Sequence, residues 1–143
     1  MITTKETKVL QGDKMKWAPM PDHINLYHRE IVSAQEADDM GISASSFLWE
    51  LIDVGGQVRP HYHDVAEIIH ITKGKVKVLC NGEWKSYQAG DTIQVPAGAI
   101  HSVANDDVEA TEQLSVFIPV QKEQPKNAFF HTVIVEADNY PKK

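Results

Sequence analysis

The chain is poor in cysteine, short of basic residues and free of long apolar runs. Cys80 is the only cysteine among 143 residues, so no disulfide can form within the chain, and a reducing compartment, the cytoplasm, is the expectation. No segment approaches the roughly 20 consecutive apolar residues of a membrane-spanning helix. The first stretch, MITTKETKVLQGDKMKW, has no apolar run of the kind a secretion signal needs. Lys and Arg number 14 against 20 Asp and Glu, a net charge of −6. That balance argues against nucleic-acid partners and against an anionic membrane surface, both of which call for a basic patch. No long helical periodicity, internal repeat or low-complexity tract is evident, and nothing reads as a helix-turn-helix. One domain's length of chain remains, and it can bury a sizeable core without staples.

What is present is a succession of short β signals. Residues 1–23 are polar and read as an N-terminal arm; residues 24–143 read as a single barrel domain. Strands are expected at 24–33, 43–54, 57–63, 66–72, 75–80, 83–87, 92–95, 99–104, 112–118 and 128–136, with a polar loop or short helical turn at 34–41. Gly55-Gly56 is read as a break between the third and fourth strands. Asn81-Gly82 is a strong hairpin signal, because a type I′ turn needs positive φ at both central residues. Strands of about 4–8 residues at 8–12-residue spacing predict an all-β sandwich or barrel.

The densest chemistry lies between Gly55 and Gly74, GGQVRPHYHDVAEIIHITKG. His61 and His63 are two apart, so on a strand both imidazoles point to one face. Glu67 keeps that parity. Ionisable groups on an inward face are costly unless paired or metal-bound. His101, in GDTIQVPAGAIHSVAN, is a fourth candidate.

These two segments resemble the motif pair of the cupin superfamily. The first motif is matched by Gly55, His61, His63, Glu67 and Gly74, and the second by Gly90, Pro96, Gly98, His101 and Asn105. One motif pair resembles a single-domain monocupin of bacterial type. The resemblance implies a jelly-roll β-barrel, a double-stranded β-helix, with one metal held in its mouth by His61, His63, Glu67 and His101. It also implies a homodimer. Gly74 and Gly90 are read as turn residues and Pro96 as fixing the bend before His101.

Three imidazoles and one carboxylate form a mixed nitrogen and oxygen set that suits manganese, iron, cobalt, nickel or zinc rather than calcium or magnesium. Manganese is favoured over iron by resemblance to the manganese cupins of oxalate chemistry. A six-coordinate metal held by four side chains keeps two positions open. The leading expectation is therefore a mononuclear metalloenzyme, an oxidoreductase, lyase or isomerase, acting on a small carboxylate, keto acid, enol or sugar acid that chelates the metal. The alternative is a non-catalytic, metal-stabilised binding or sensor module. Candidate substrate contacts are Arg59, which shares the parity of His61 and His63, and Gln113, Ser115 and Phe117, which share one face of a later strand. No general base is evident in the sequence. Cys80 lies outside both motifs and gives no support for a Cys-Tyr cofactor. Tyr62 and His70 have the opposite parity to the metal candidates and are expected to pack or to meet a partner, and His23, His28 and His131 follow no usable spacing.

Overall fold

The computed structural model describes residues 6–120 and 131–135. The third strand positions most of the site. The arm contributes a turn of 3₁₀ helix at Gly12–Lys14 and a two-residue strand β1, Ala18–Pro19, which pairs with Tyr27 and His28. Strand β2, Ile24–Ser33, covers the range expected from the sequence. The polar stretch after it is a short helix, α1, Ala34–Asp39, rather than a loop. Its start is a full capping box: Ser33 Oγ accepts from the Glu36 amide, and the Glu36 carboxylate accepts from the Ser33 amide, both at 3.1 Å.

Strand β3 is one continuous element of 18 residues, Ser46–His63, where the sequence suggested two. The glycine pair bends it without ending it. Gly55 takes φ +76°, open to glycine at little cost. At Gly56 a Cβ would lie 2.8 Å from the carbonyl oxygens of Asp53 and Ile24, so only glycine fits there. Before the bend β3 pairs with β2 on one side and β9, Thr111–Ile118, on the other. After the bend it pairs with β8, His101–Asn105, and β10, Thr132–Ile134. One strand therefore belongs to both layers of the barrel.

The remaining strands follow the sequence closely. They are β4 (Ala66–Lys73), β5 (Lys75–Cys80), β6 (Glu83–Gln88) and β7 (Thr92–Val95). Every pairing is antiparallel, in the order β6-β5-β8-β3-β9-β4-β7. The sheet curls into the jelly roll expected from the sequence. Asn81 and Gly82 sit at φ +53° and +77° in the β5–β6 hairpin, as the type I′ reading requires. Of the expected last strand, 128–136, the described part is Thr132–Ile134; residues 128–130 and 136 lie outside the described residues.

The core is aliphatic and sits between the layers: Leu26, Ile52, Val58, Ile69, Ile71 and Val103 belong to one buried cluster. Asn105 closes the second motif structurally. Its Nδ2 donates to the carbonyls of Ile52 (2.9 Å) and Glu109 (2.8 Å), and its Oδ1 accepts from the Asp107 amide (2.7 Å). One buried side chain thereby satisfies backbone groups that would otherwise be left unpaired. No helix among the described residues is long and apolar enough to cross a membrane.

Candidate metal centre

His61 and His63 come from the end of β3, Glu67 from the start of β4 and His101 from the start of β8. Register brings them together: His61 stands opposite His101 across the β3–β8 ladder. All four side chains are buried, and one donor atom from each lies within 4.8 Å of the others. The ring centroids of His61 and His101 are 4.3 Å apart, and those of His63 and His101 are 4.9 Å apart.

The three rings are oriented by one device. His61 Nδ1 lies 2.7 Å from the Arg59 carbonyl, His63 Nδ1 2.8 Å from the Val65 carbonyl and His101 Nδ1 2.9 Å from the Ala99 carbonyl. A carbonyl oxygen can only accept, so each Nδ1 carries the hydrogen. In the neutral ring Nε2 then presents a lone pair, the form that binds a metal. Two of these nitrogens, on His63 and His101, stand 2.9 and 3.0 Å from Glu67 Oε1. Lone pairs facing a carboxylate oxygen repel unless a cation lies between them. A proton on His101 can serve, and a divalent metal serves better because it satisfies both rings at once. The donor set fits a metal.

The electrostatics agree with that geometry. Burial alone would push the Glu67 carboxyl up, but the hydrogen bonds and charge of His101 and His63 outweigh it and hold Glu67 well below the usual carboxylate range. Burial pulls His101 down, and the Glu67 contact overcomes it, leaving the ring above its ordinary value. His61 is pushed down to about 3, first by burial and then by His101, so it is neutral at physiological pH.

The cluster opens into a cavity of about 700 Å³ with an apolar wall that includes Met20, Leu48, Val58, Ile69, Val103 and Phe117. Gln113 and Phe117, expected to contact substrate, do line it. Ser115 is fully buried behind that wall, and its hydroxyl donates to Glu50. Arg59 is a correction. It is exposed and does not line the cavity, because an irregularity in register between Val58 and His61 turns Val58 inward in its place. Same-side parity fails across a bulge. Tyr62 is exposed, and His70 is half-buried with its ring against Thr92 Oγ1 at 2.8 Å.

Two cavity residues were not anticipated. Glu50 stands opposite Gln113 in the β3–β9 register and is 5% exposed. Its Oε1 accepts from Gln113 Nε2 at 3.2 Å and from Ser115 Oγ. Burial first, and then the charge of Glu67, push the Glu50 carboxyl up to about 7. The signal for it was its parity with Leu48 and Ile52, masked because Trp49 and Leu51 make the other face look equally apolar. His23 comes from the segment before β2. Its Nδ1 accepts the Arg59 amide at 3.0 Å, and its ring lies 5.5 Å from that of His61. Burial pulls it down to about 4. Nothing in the local sequence marks it.

Comparison with known proteins bears on this arrangement. Residues 48–117 match the family described as Cupin domain. No protein of curated function matches the sequence significantly. Among solved structures, the chain is similar to a predicted oxalate decarboxylase from Thermotoga maritima, with a TM-score of 0.68 and 22% identity over 79% of this chain and 100% of that one. It is similar to the polyketide cyclase RemF from Streptomyces resistomycificus, with a TM-score of 0.68 and 18% identity over 94% and 91% of the two chains. It is also similar to KdgF from a Halomonas species, with a TM-score of 0.66 and 15% identity over 82% and 100%. At these identities the likeness carries the fold.

Proposed function

Because this chain is a cupin, with its cupin domain at residues 48–117, we propose that it is a mononuclear metalloenzyme whose substrate chelates the metal through two oxygens. His61, His63, Glu67 and His101 would hold one divalent transition metal, with manganese or iron the favoured ions. The observation that carries this reading is the convergence of four buried donors, three with their Nε2 lone pairs fixed, at the wall of a roomy cavity. When bound, such a metal polarises a carbonyl and lowers the pKa of a bound water. A closed structural zinc site would more often use cysteine and would have no need of a substrate-sized space beside it.

The chain's own residues support acid–base work next to that centre. Glu50 is a buried carboxyl whose pKa, about 7, lies in the range where a side chain can both give and take a proton. Gln113 and Ser115 hold it in place. His23 is neutral and sits at the same cavity. The fold neighbours differ among themselves in what they are described as doing, so the choice of substrate rests on the cavity.

The test is metal uptake followed by turnover. Protein stripped with a chelator is titrated with manganese, iron(II), cobalt, nickel and zinc. It should take up about one ion per chain. His101→Ala should remain folded and lose most of that uptake. The loaded protein is then assayed against keto acids, enols and hydroxy ketones, with turnover expected to change with the ion. A folded protein that takes up no ion refutes the metal reading. Ion uptake and ligand-induced stabilisation without product would make it a binding module instead.

A further inference from the structure

Carboxylates are the fixed charges in the lining of the cavity, and its cationic partner is a histidine of the metal cluster, His101. Among the described residues no Lys or Arg lines it, while Asp22, Glu30, Glu50 and Glu67 do. Anionic substrates are ordinarily gripped by a guanidinium or ammonium group, and Arg59, whose charge reaches His23, is exposed and does not line the cavity. The space is also much larger than a two- or three-carbon acid needs, and Met20, Leu48, Val58, Ile69, Val103 and Phe117 form an apolar stretch of its wall beside the polar side chains. Apolar walls with few placed polar groups bind largely apolar molecules.

The placed polar groups specify the rest. Both hydrogen bonds to Glu50 converge on Oε1, so Oε2 has no partner among the described residues and is an acceptor open to the cavity. His23 spends Nδ1 on the Arg59 amide, so its neutral ring carries hydrogen on Nε2, a donor with no partner among the described residues. A ligand that satisfies both presents a hydroxyl hydrogen and a carbonyl oxygen.

Resting on the metal reading above, we infer that this cavity takes a neutral, largely apolar enol or hydroxy ketone, with its hydroxyl donating to Glu50, and that it discriminates against small dianions. A buried polar group left unpaired by the wrong ligand is a strong source of such discrimination, and so is a like charge brought close to a carboxylate.

The experiment uses manganese-loaded protein at about pH 8, where Glu50 is mostly ionised. Calorimetry compares maltol, a small neutral hydroxy ketone, with oxalate. Each affinity is divided by that ligand's affinity for manganese in water, which removes intrinsic chelating strength, and metal retention is checked after each titration. The corrected ratio should favour maltol by roughly tenfold or more, because like-charge contacts in a desolvated site are strongly unfavourable. Glu50→Gln should bring the ratio back toward unity, whereas Glu50→Asp, which keeps the charge, should retain the bias against oxalate. Oxalate binding as well as maltol, a ratio indifferent to Glu50→Gln, or binding of neither ligand to metal-loaded protein would each overturn this inference alone. A protein that takes up no manganese fails earlier and overturns the metal reading with it.

Discussion

Replacing Glu50 with Gln should make the metal-free protein more stable at high pH and leave it little changed at low pH. A carboxyl whose value rises from 4.5 in water to about 7 in the fold disfavours the charged folded state by about 3 kcal/mol, at about 1.36 kcal/mol per pH unit. The sign follows from proton binding. Between pH 4.5 and about 7 the folded state holds this proton more tightly than the unfolded chain does, so stability falls as pH rises through that window. Below the window both states are protonated and nothing is lost; above it the full penalty stands. Glutamine has no such charge and can still accept from Ser115 and Gln113. Allowing for its less favourable hydrogen bonds, a gain of about 1–3 kcal/mol at pH 8 is expected, shrinking toward zero near pH 4.5. Urea unfolding of wild type and variant at both pH values, with a chelator present, measures it. Adding metal should narrow the difference, because the positive ion offsets the Glu67 charge that is the second cause of the shift. An equal effect at both pH values, or a variant weaker than wild type at pH 8, would refute the argument that Glu50 is a desolvated carboxyl.

The other expectations concern the metal centre and the scaffold. Glu67→Gln removes the one anionic donor of the cluster; metal affinity measured by competition with a fluorescent chelator should fall, and an unchanged value would place Glu67 outside the coordination sphere. Asn105→Ala strands the buried Ile52 carbonyl and releases the 105–109 turn; a loss of about 2–3 kcal/mol in urea unfolding is expected, and a loss below about 0.5 kcal/mol would mean the loop repacks freely. Ser33→Ala breaks the capping box of α1 and should cost about 1 kcal/mol. Threonine at the same place should restore most of that loss, and an alanine variant as stable as wild type would show that α1 does not depend on its cap.

Much of the centre could be read from the sequence because period-two spacing puts His61 and His63 on one face whatever the rest of the chain does. The strand boundaries were legible for the same kind of reason: Asn-Gly, Pro-x-Gly and the other turn residues impose local geometry that distant contacts rarely override. What could not be read depends on register. Arg59 was expected beside the histidines, but Pro60 next to it, a residue that strands tolerate mainly at edges and bulges, marks the irregularity that leaves Arg59 exposed and off the cavity wall. Glu50 was hidden inside an apolar strand with two covered faces, and its meaning depends on Gln113 and Ser115, more than 60 residues away in the chain. His23 depends on a backbone amide at Arg59 that only the packed arm brings near. Gly55-Gly56 looked like the end of a strand and is a bend, because the amides on both sides still find partners in different neighbours.

The carbonyls that orient the three histidines belong to Arg59, Val65 and Ala99. Every amino acid supplies the same carbonyl, so this support is insensitive to the identity of those side chains. Mutational drift at the three positions can recolour the protein's exterior or retune its packing without rotating a single imidazole. The vulnerability lies instead in backbone path, since a proline or a one-residue insertion would displace the carbonyl itself. Substitutions at these three positions are therefore expected to leave the rings oriented, whereas an insertion or deletion beside them is expected to disturb the centre.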